Sequence, residues 1–180
     1  MIEIVPNLHP VFVHFTVALT LISVGLFIIS YSFKDKKYFK IFINTAYVNL
    51  WFGSLLSVIT VAMGFYAYYT VSHDSPSHLA MTDHRNWAII TFLSLAILSI
   101  FSVRNYLKNN HHNSLFILLS IITAILILTT SYKGGEVVYR YGIGVMSLPK
   151  TQGDGGHGSH SHGNTVNKKM KQDNHSNHKH

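Results

Sequence analysis

The 180-residue sequence contains no cysteine. Without thiolates the chain cannot form disulfides, thiolate zinc sites, iron–sulfur clusters or the covalent attachment of a c-type haem. The five methionines are scattered, which argues against a dedicated copper(I) path. A metal or cofactor held by this chain must therefore be bound by histidine, methionine, carboxylate or tyrosine side chains.

Charged residues are missing from four long apolar runs, at about 11–33, 43–69, 87–103 and 114–132. Helices of a soluble bundle carry charge on their outer faces, whereas each of these runs is long enough to cross a hydrocarbon core of about 30 Å. The leader "MIEIVPNLHP" has no basic residue and no small-residue cleavage pattern follows, so we expect the first run to be retained. The connections are short, so the sequence predicts an all-α integral membrane protein with an up-down four-helix bundle. No internal repeat of useful strength is visible.

The composition changes after the fourth run. Residues 1–148 are expected to form the four-span domain, and residues 149–180 to form a disordered tail because they lack the apolar content to fold. Six histidines in this tail are candidates for loose binding of Zn, Cu(II) or Ni, with His157, His160 and His162 as a weak site. The alternative is a solvated tail with no selected metal.

Basic residues are unevenly distributed among the connections. Four lysines lie in "KDKKYFK" after the first run, and Arg104 and Lys108 follow the third. The positive-inside rule places both connections in the cytoplasm and both termini on the external side. Flanking and tail lysines account for much of the net charge of +7, so no nucleic-acid partner is expected.

Histidines gather at the predicted external end. Pro10 fits the first helical turn beside His9, and His14 lies about one turn inside the first span. Asp83 resembles an N-cap for the third span, with His84 as its first helical residue. Spans one and three lie on a diagonal of an up-down bundle, so we expect His14 and His84 to face each other. Two opposed imidazoles are what a low-spin b-type haem requires.

Basic and aromatic side chains accompany these histidines. Arg85, Lys133 and Arg140 are candidates to meet the haem propionates. The aromatic residues of this end either line the haem slot or form the interfacial belt that is typical of span ends; they are Phe15, Trp87, Tyr132 and Tyr139.

Two glycines follow the fourth run in "GGEVVYRYGIGV". Gly134 and Gly135 stand where a left-handed cap or a close backbone approach is wanted, and Glu136 lies four residues before Arg140. One interpretation is an ordinary helix stop and turn. The other is a segment that folds back as a lid over the external cavity.

Other roles for the histidines stay open. A periplasmic-facing binder of divalent metal (Zn, Cu or Ni), or a transport accessory, would use the external histidines, with His73 and His78 among them. The spacings "HDSPSH" and "HLAMTDH" match no closed zinc pattern, and the absence of intramembrane carboxylates argues against coupled transport. A third possibility is a structural subunit whose histidines only form hydrogen bonds.

The motifs "LHPVFVHFTVAL", "DHRNW" and "GGEVVYRYGIGV" resemble the bacterial membrane-protein family catalogued as domain of unknown function 2231, over about 8–145. The resemblance implies a four-span inner-membrane protein. Some members are fused to a Rieske-type iron–sulfur domain, which implies a redox setting.

The resemblance also carries over to single residues. The family's motif histidines correspond to His9, His14 and His84, and its glycine pair to the two glycines after the fourth run. The closing motif commonly has histidine before its Gly-x-Gly, where this chain has Tyr141.

We therefore hypothesise a b-type cytochrome-like membrane protein that binds haem b near the external face. His14 and His84 would be the axial ligands, and His9 a neighbour or second-site ligand. The protein would pass electrons to or from a periplasmic carrier or a quinol, as an electron-transfer subunit more than a stand-alone enzyme. Membrane lipid is an expected partner. The chain could also form a homo-oligomer or be a subunit of a larger complex, and the sequence leaves both alternatives open.

Overall fold

A computed structural model describes residues 8–32, 37–110 and 113–145. It contains four helices, α1 (His9–Ser32), α2 (Phe39–Thr70), α3 (Ser75–Leu107) and α4 (Ser114–Tyr139), and no strand within those ranges. All four are long and apolar enough to cross a membrane, which confirms the predicted four-span, all-α class. The predicted tail, with its three-histidine site, lies outside the described residues.

Helix α3 begins well before its apolar run. Asp74 is the N-cap, its Oδ1 accepts a hydrogen bond from the Ser77 amide at 3.0 Å, and a proline lies in the first turn. Asp83 therefore lies inside the helix, and the expectation that it caps the third span was wrong. A polar segment beyond the hydrocarbon can remain helical when a good cap precedes it.

Helix α4 likewise continues beyond its apolar run, through Gly134 and Gly135 to Tyr139. A close ion pair between Glu136 and Arg140, at 2.6 Å, supports the last turn. The backbone leaves the helix only afterwards, where Gly142 and Gly144 adopt positive φ angles of 65° and 79°. The interpretation of the glycine pair as an ordinary helix stop is therefore wrong, whereas the lid interpretation stays a prediction.

The helices pack as two hairpins. Helix α1 packs most extensively along α2, and α3 along α4, while the hairpins meet through α2 with α3 and α1 with α4. Helices α1 and α3 therefore lie on one diagonal, as the up-down bundle predicts. We call the end of the bundle that carries His9 and His84 the histidine end.

The large buried side chains lie in the half of the bundle away from the histidine end. The Phe27 ring packs edge-on against Tyr47 and Phe116, with centroid separations of 5.0 and 4.8 Å. Trp51 donates from Nε1 to the Ser102 hydroxyl at 2.8 Å. The buried cluster comprises Phe27, Ile43, Ala46, Tyr47, Leu50, Leu95, Leu98 and Phe116. Aromatic and leucine side chains therefore fill this half.

The buried positions of the first hairpin recur in the second. In α1 and α3 they recur at a spacing of 75 residues (91 minus 16), and in α2 and α4 at a spacing of 70 (116 minus 46). The α1 and α3 positions are Thr16, Thr20, Ser23, Phe27 and Ser30, then Thr91, Leu95, Leu98, Ser102 and Asn105. The α2 and α4 positions are Ala46, Leu50, Gly53, Ser57 and Ala67, then Phe116, Ser120, Thr123, Ile127 and Val137.

This recurrence corrects the expectation of no internal repeat. Few residue identities are shared, so comparison of letters does not reveal it; the repeated property is burial. Both hairpins run in the same direction, so an approximate two-fold axis along the membrane normal relates them.

Candidate cofactor site

His9, the first residue of α1, is oriented by the backbone of α2. Its Nδ1–H donates to the Thr60 carbonyl at 2.9 Å. A carbonyl only accepts hydrogen bonds, so Nδ1 carries the proton and Nε2 of the neutral ring carries the lone pair. A Cβ added at Gly64, one turn further along α2, would lie 2.9 Å from Cε1 of this ring. The glycine therefore provides the space that the imidazole occupies.

His84, in the third turn of α3, has equivalent surroundings on α4. A Cβ at Gly134 would lie 3.0 Å from its Cε1. The backbone of Thr130 interacts with the ring, yet Nδ1 is buried and makes no hydrogen bond to any residue that the structure describes. Buried nitrogens are normally paired, and the Thr130 backbone is the partner beside this one, as Thr60 is for His9.

A pair of threonines joins the helices of each hairpin just below the imidazole. The Oγ1 atoms of Thr16 and Thr60 lie 2.8 Å apart, and those of Thr91 and Thr130 lie 2.7 Å apart. In both hairpins the first threonine follows the histidine by seven positions and the second precedes the glycine by four. These repeated positions are His9, Thr16, Thr60 and Gly64 in the first hairpin and His84, Thr91, Thr130 and Gly134 in the second.

The two imidazoles meet between the hairpins. Their ring centroids lie 6.3 Å apart and their planes make an angle of 72°. Beside them, Lys133 Nζ lies 2.8 Å from the Asp83 carboxylate and ties α4 to α3 next to His84 and Gly134. The two-fold relation of the hairpins thus produces a pair of histidines that face each other.

The histidine of α1 that meets His84 is His9 and not His14. His14 is exposed, and its Nδ1–H donates to the Pro10 carbonyl within α1. Positions five apart on a helix point about 140° away from each other, so only one of the two histidines can face the bundle interior. The expected pairing of His14 with His84 is therefore replaced by a pairing of His9 with His84.

The three basic residues predicted for haem propionates have other partners. The Arg85 guanidinium lies 4.7 Å from the centre of the Tyr68 ring. Lys133 pairs with Asp83, as described above. Arg140 is exposed and bound to Glu136, whose carboxylate raises the pKa of Arg140 above its ordinary value.

The aromatic residues at this end mostly face outward. Phe15, Tyr132 and Tyr139 are exposed, and Trp87 is half-buried. The first three match the interfacial-belt interpretation and do not line the space around the histidine pair. Gly135, unlike its neighbour, has only an ordinary van der Waals contact for an added Cβ, at 4.0 Å from Tyr139.

The other predicted metal ligands, His73 and His78, come together between α2 and α3. Their facing nitrogens are 2.8 Å apart. Next to them, hydrogen bonds from the Ser77 side chain and amide hold the pKa of Asp74 below its ordinary value.

The sequence interpretation missed the threonines and Gly64 as parts of this site. Gly53, Ser57, Thr60 and Gly64 could be identified only as small residues that let helices approach. A usable signal exists in the repeated spacing, namely histidine and threonine seven apart, then threonine and glycine four apart, each occurring once per hairpin. The same spacing in the same order in both hairpins is stronger evidence for a repeated site than its occurrence in one hairpin.

Comparison with known proteins gives one match. Neither a curated protein nor a solved structure matches the chain. A family described as "Predicted membrane protein (DUF2231)" matches residues 5–147, a range that includes all four helices and every residue of the histidine–threonine–glycine positions. The chain therefore belongs to the DUF2231 family of predicted membrane proteins.

Proposed function

We propose that this protein binds one haem b between its two hairpins, with His9 and His84 as the axial ligands of the iron. The observation that carries the proposal is the 6.3 Å separation of the two ring centroids. Two imidazoles on opposite sides of one metal, with nitrogen–metal bonds of about 2 Å, have ring centres roughly 6 Å apart.

The hydrogen bonding of His9 supports its role as a ligand. Metal-binding histidines usually donate their other ring N–H to a carbonyl or carboxylate, which fixes the tautomer and the ring orientation. The Thr60 carbonyl does this for His9 and fixes the tautomer in which Nε2 carries the lone pair. The Thr130 backbone is in the equivalent position beside the unpaired Nδ1 of His84.

The number of protein ligands favours haem over a bare divalent ion. Within the described ranges no group of three His, Cys, Asp or Glu residues is placed to hold a metal. Zinc sites need three or four protein ligands, whereas haem iron receives four nitrogens from its macrocycle and needs only axial ligands from the protein.

The shape of the bundle also supports a flat cofactor. Both imidazoles lie at the contact between the hairpins, and Gly64 and Gly134 let each ring pack closely against its own hairpin. An approximate two-fold axis passes between the hairpins, and the macrocycle of haem b has a similar approximate symmetry. The aromatic cluster fills the opposite half, so the site belongs to one end of the membrane.

A bound haem would supply one-electron transfer at that end. The chain's own residues hold the iron ligands, set the ring tautomer and exclude large side chains from the space between the hairpins. We infer from the basic first and third connections that the histidine end is periplasmic in a bacterial inner membrane. A periplasmic redox carrier or a quinol is then the partner class, and an electron-transfer subunit the most economical role.

The test is the visible absorption spectrum of the detergent-purified protein, expressed with ample haem, before and after reduction with dithionite. We expect a Soret band and sharp reduced α and β bands, with one haem per chain. A featureless spectrum together with bound zinc, copper or nickel would overturn the proposal in favour of a divalent-metal accessory protein. A featureless spectrum with no metal would favour a structural subunit.

A further inference from the structure

A cleft of about 430 Å³ lies between the start of α2 and the end of α3, at the end of the bundle opposite the histidine end. The apolar run of α2 begins at about residue 43 and that of α3 ends at about 103, so the cleft lies where hydrocarbon meets the lipid headgroups. Its lining, in which no residue is acidic, comprises Phe39, Lys40, Ile43, Asn44, Tyr106, Leu107 and Asn109.

The α3 side of the cleft is held by the helix end itself. Asn109 adopts the left-handed conformation, with a φ angle of 51°, and its backbone amide donates to the Tyr106 carbonyl at 3.1 Å. The Asn110 amide donates to the Asn105 carbonyl at 3.0 Å, which completes a Schellman motif. The Tyr106 ring packs edge-on against Trp51, with centroids 5.4 Å apart. These contacts fix the backbone at Asn109 and the Tyr106 ring at the wall of the cleft.

The lysine of the cleft lacks an acidic partner. At the histidine end, Lys133 pairs with Asp83 at 2.8 Å. Lys40, in contrast, forms no ion pair with any residue that the structure describes. The two stretches that border the cleft, 37–44 and 104–110, carry four basic side chains and no acidic one. The cleft therefore lies in a positive field that favours an anion.

We propose that this cleft binds the headgroup of an anionic phospholipid, with the phosphate held by the Lys40 ammonium and the side-chain amides of Asn44 and Asn109. The ammonium supplies three hydrogen-bond donors and each amide supplies two, whereas a phosphodiester oxygen only accepts. Basic pockets between membrane helices are typical sites for anionic headgroups.

The apolar part of the lining favours a lipid over a free phosphate ion. Phe39, Ile43 and Leu107 lie in the same cleft as the polar groups, and Leu107 is 74% exposed. Acyl chains attached to the headgroup would cover this apolar surface, whereas a small hydrated ion would leave it in contact with water. The cleft shares no residue with the His9–His84 site, so this proposal is independent of haem binding.

The test is native mass spectrometry of the full-length protein, released from detergent micelles after titration with phosphatidylglycerol or with phosphatidylcholine of the same acyl chains. We expect one phosphatidylglycerol molecule per chain, bound about 5-fold more tightly than phosphatidylcholine, whose choline cancels the phosphate charge. Inorganic phosphate should not displace the lipid.

Two variants probe the headgroup contacts. Lys40→Gln should weaken phosphatidylglycerol binding by about 5-fold, because it removes one charge near the membrane surface. Asn109→Gly should also weaken binding, since glycine keeps the left-handed turn and removes only the side-chain amide.

Lys37→Gln is the matched control. Lys37 precedes α2 as well, but its Nζ lies 5.9 Å from the centre of the Tyr38 ring and the residue does not line the cleft. The variant removes the same charge from the same connection and should leave phosphatidylglycerol affinity unchanged. An unchanged affinity in Lys40→Gln, an equal loss in Lys37→Gln, or displacement of the lipid by inorganic phosphate would each overturn the proposal.

Discussion

Glycine stands at the two positions where a helix passes closest to an imidazole. An added Cβ would lie 2.9 Å from His9 at Gly64 and 3.0 Å from His84 at Gly134. The His9 ring is held by the Thr60 carbonyl, so it cannot withdraw without losing that hydrogen bond. At the scale of single residues, the site depends on the two glycines, which leave space for the rings, as much as on the imidazoles.

Gly64→Ala should therefore reduce haem binding. The methyl group displaces the His9 ring from the position in which its Nε2 would reach the iron of the proposed haem. We expect a lower haem-to-protein ratio and a weakened low-spin spectrum, measured on protein purified in detergent.

Gly25→Ala is the control, because an added Cβ there has no atom within 4 Å. Alanine should leave haem content unchanged and stabilise the helix by about 0.5–1 kcal/mol. Equal haem content in the two variants would contradict the close-packing role of Gly64.

The choice of histidine as the ligand type stays a prediction, whereas the structure shows that His9, and not the expected His14, faces His84. Pro10 correctly indicated the start of α1. The choice between His9 and His14 depends on which face of α1 packs against α2, and both faces of α1 are apolar. The Thr60 carbonyl, the gap at Gly64 and the contact with His84 distinguish His9 from the exposed His14.

At the scale of elements, helix length in this protein exceeds hydrocarbon thickness. Helix α3 begins at Ser75 although its apolar run begins at Trp87. An apolar run identifies a membrane span because its residues are suited to contact with lipid. It gives no information on polar helical turns that extend beyond the hydrocarbon core. The cap at Asp74 and the Glu136–Arg140 pair set the true ends.

The cap of α3 should give stability a pH dependence. The pKa of Asp74 is lower in the folded protein than its ordinary value of 3.8, chiefly because Ser77 donates to it. The stabilisation is thus fully present above pH 3.8 and is lost as pH falls through the lower folded value. Thermal unfolding in detergent measures this effect.

Asp74→Ser supplies a cap that does not titrate. The difference in the midpoint temperature of thermal unfolding between wild type and Asp74→Ser should be constant around neutral pH. It should change only below about pH 4. A difference that changes between pH 5 and 8 would point to histidines and contradict the assignment to Asp74.

At the scale of the whole molecule, two similar hairpins place one histidine each at a shared contact. Apolar runs predict the four-span fold. The symmetry lies in burial and in a short repeated spacing of histidine, threonine and glycine, which a comparison of residue identities along the hairpins does not reveal. In the half away from the histidines, the equivalent residues Ser30 and Asn105 are both buried, and each has an unpaired polar atom within the described structure. The two-fold relation between the hairpins therefore extends along most of the bundle.

The natural absence of cysteine makes the orientation directly measurable. Single cysteines at Ser72 and Asn110 place one thiol at each end of the bundle, in exposed positions between helices. A membrane-impermeant maleimide added to spheroplasts should label Ser72→Cys and leave Asn110→Cys unlabelled until the membrane is broken. The reverse pattern would put the histidine end in the cytoplasm and exclude a periplasmic electron partner.

The most direct test of the central claim compares His9→Ala with His14→Ala under identical haem supply. Both are histidines of α1, and only His9 faces His84. We expect His14→Ala to keep the haem content and sharp reduced α and β bands of the wild type, and His9→Ala to lose the low-spin spectrum. If His14→Ala lost the low-spin haem spectrum and His9→Ala retained it, the proposed His9–His84 site would be contradicted.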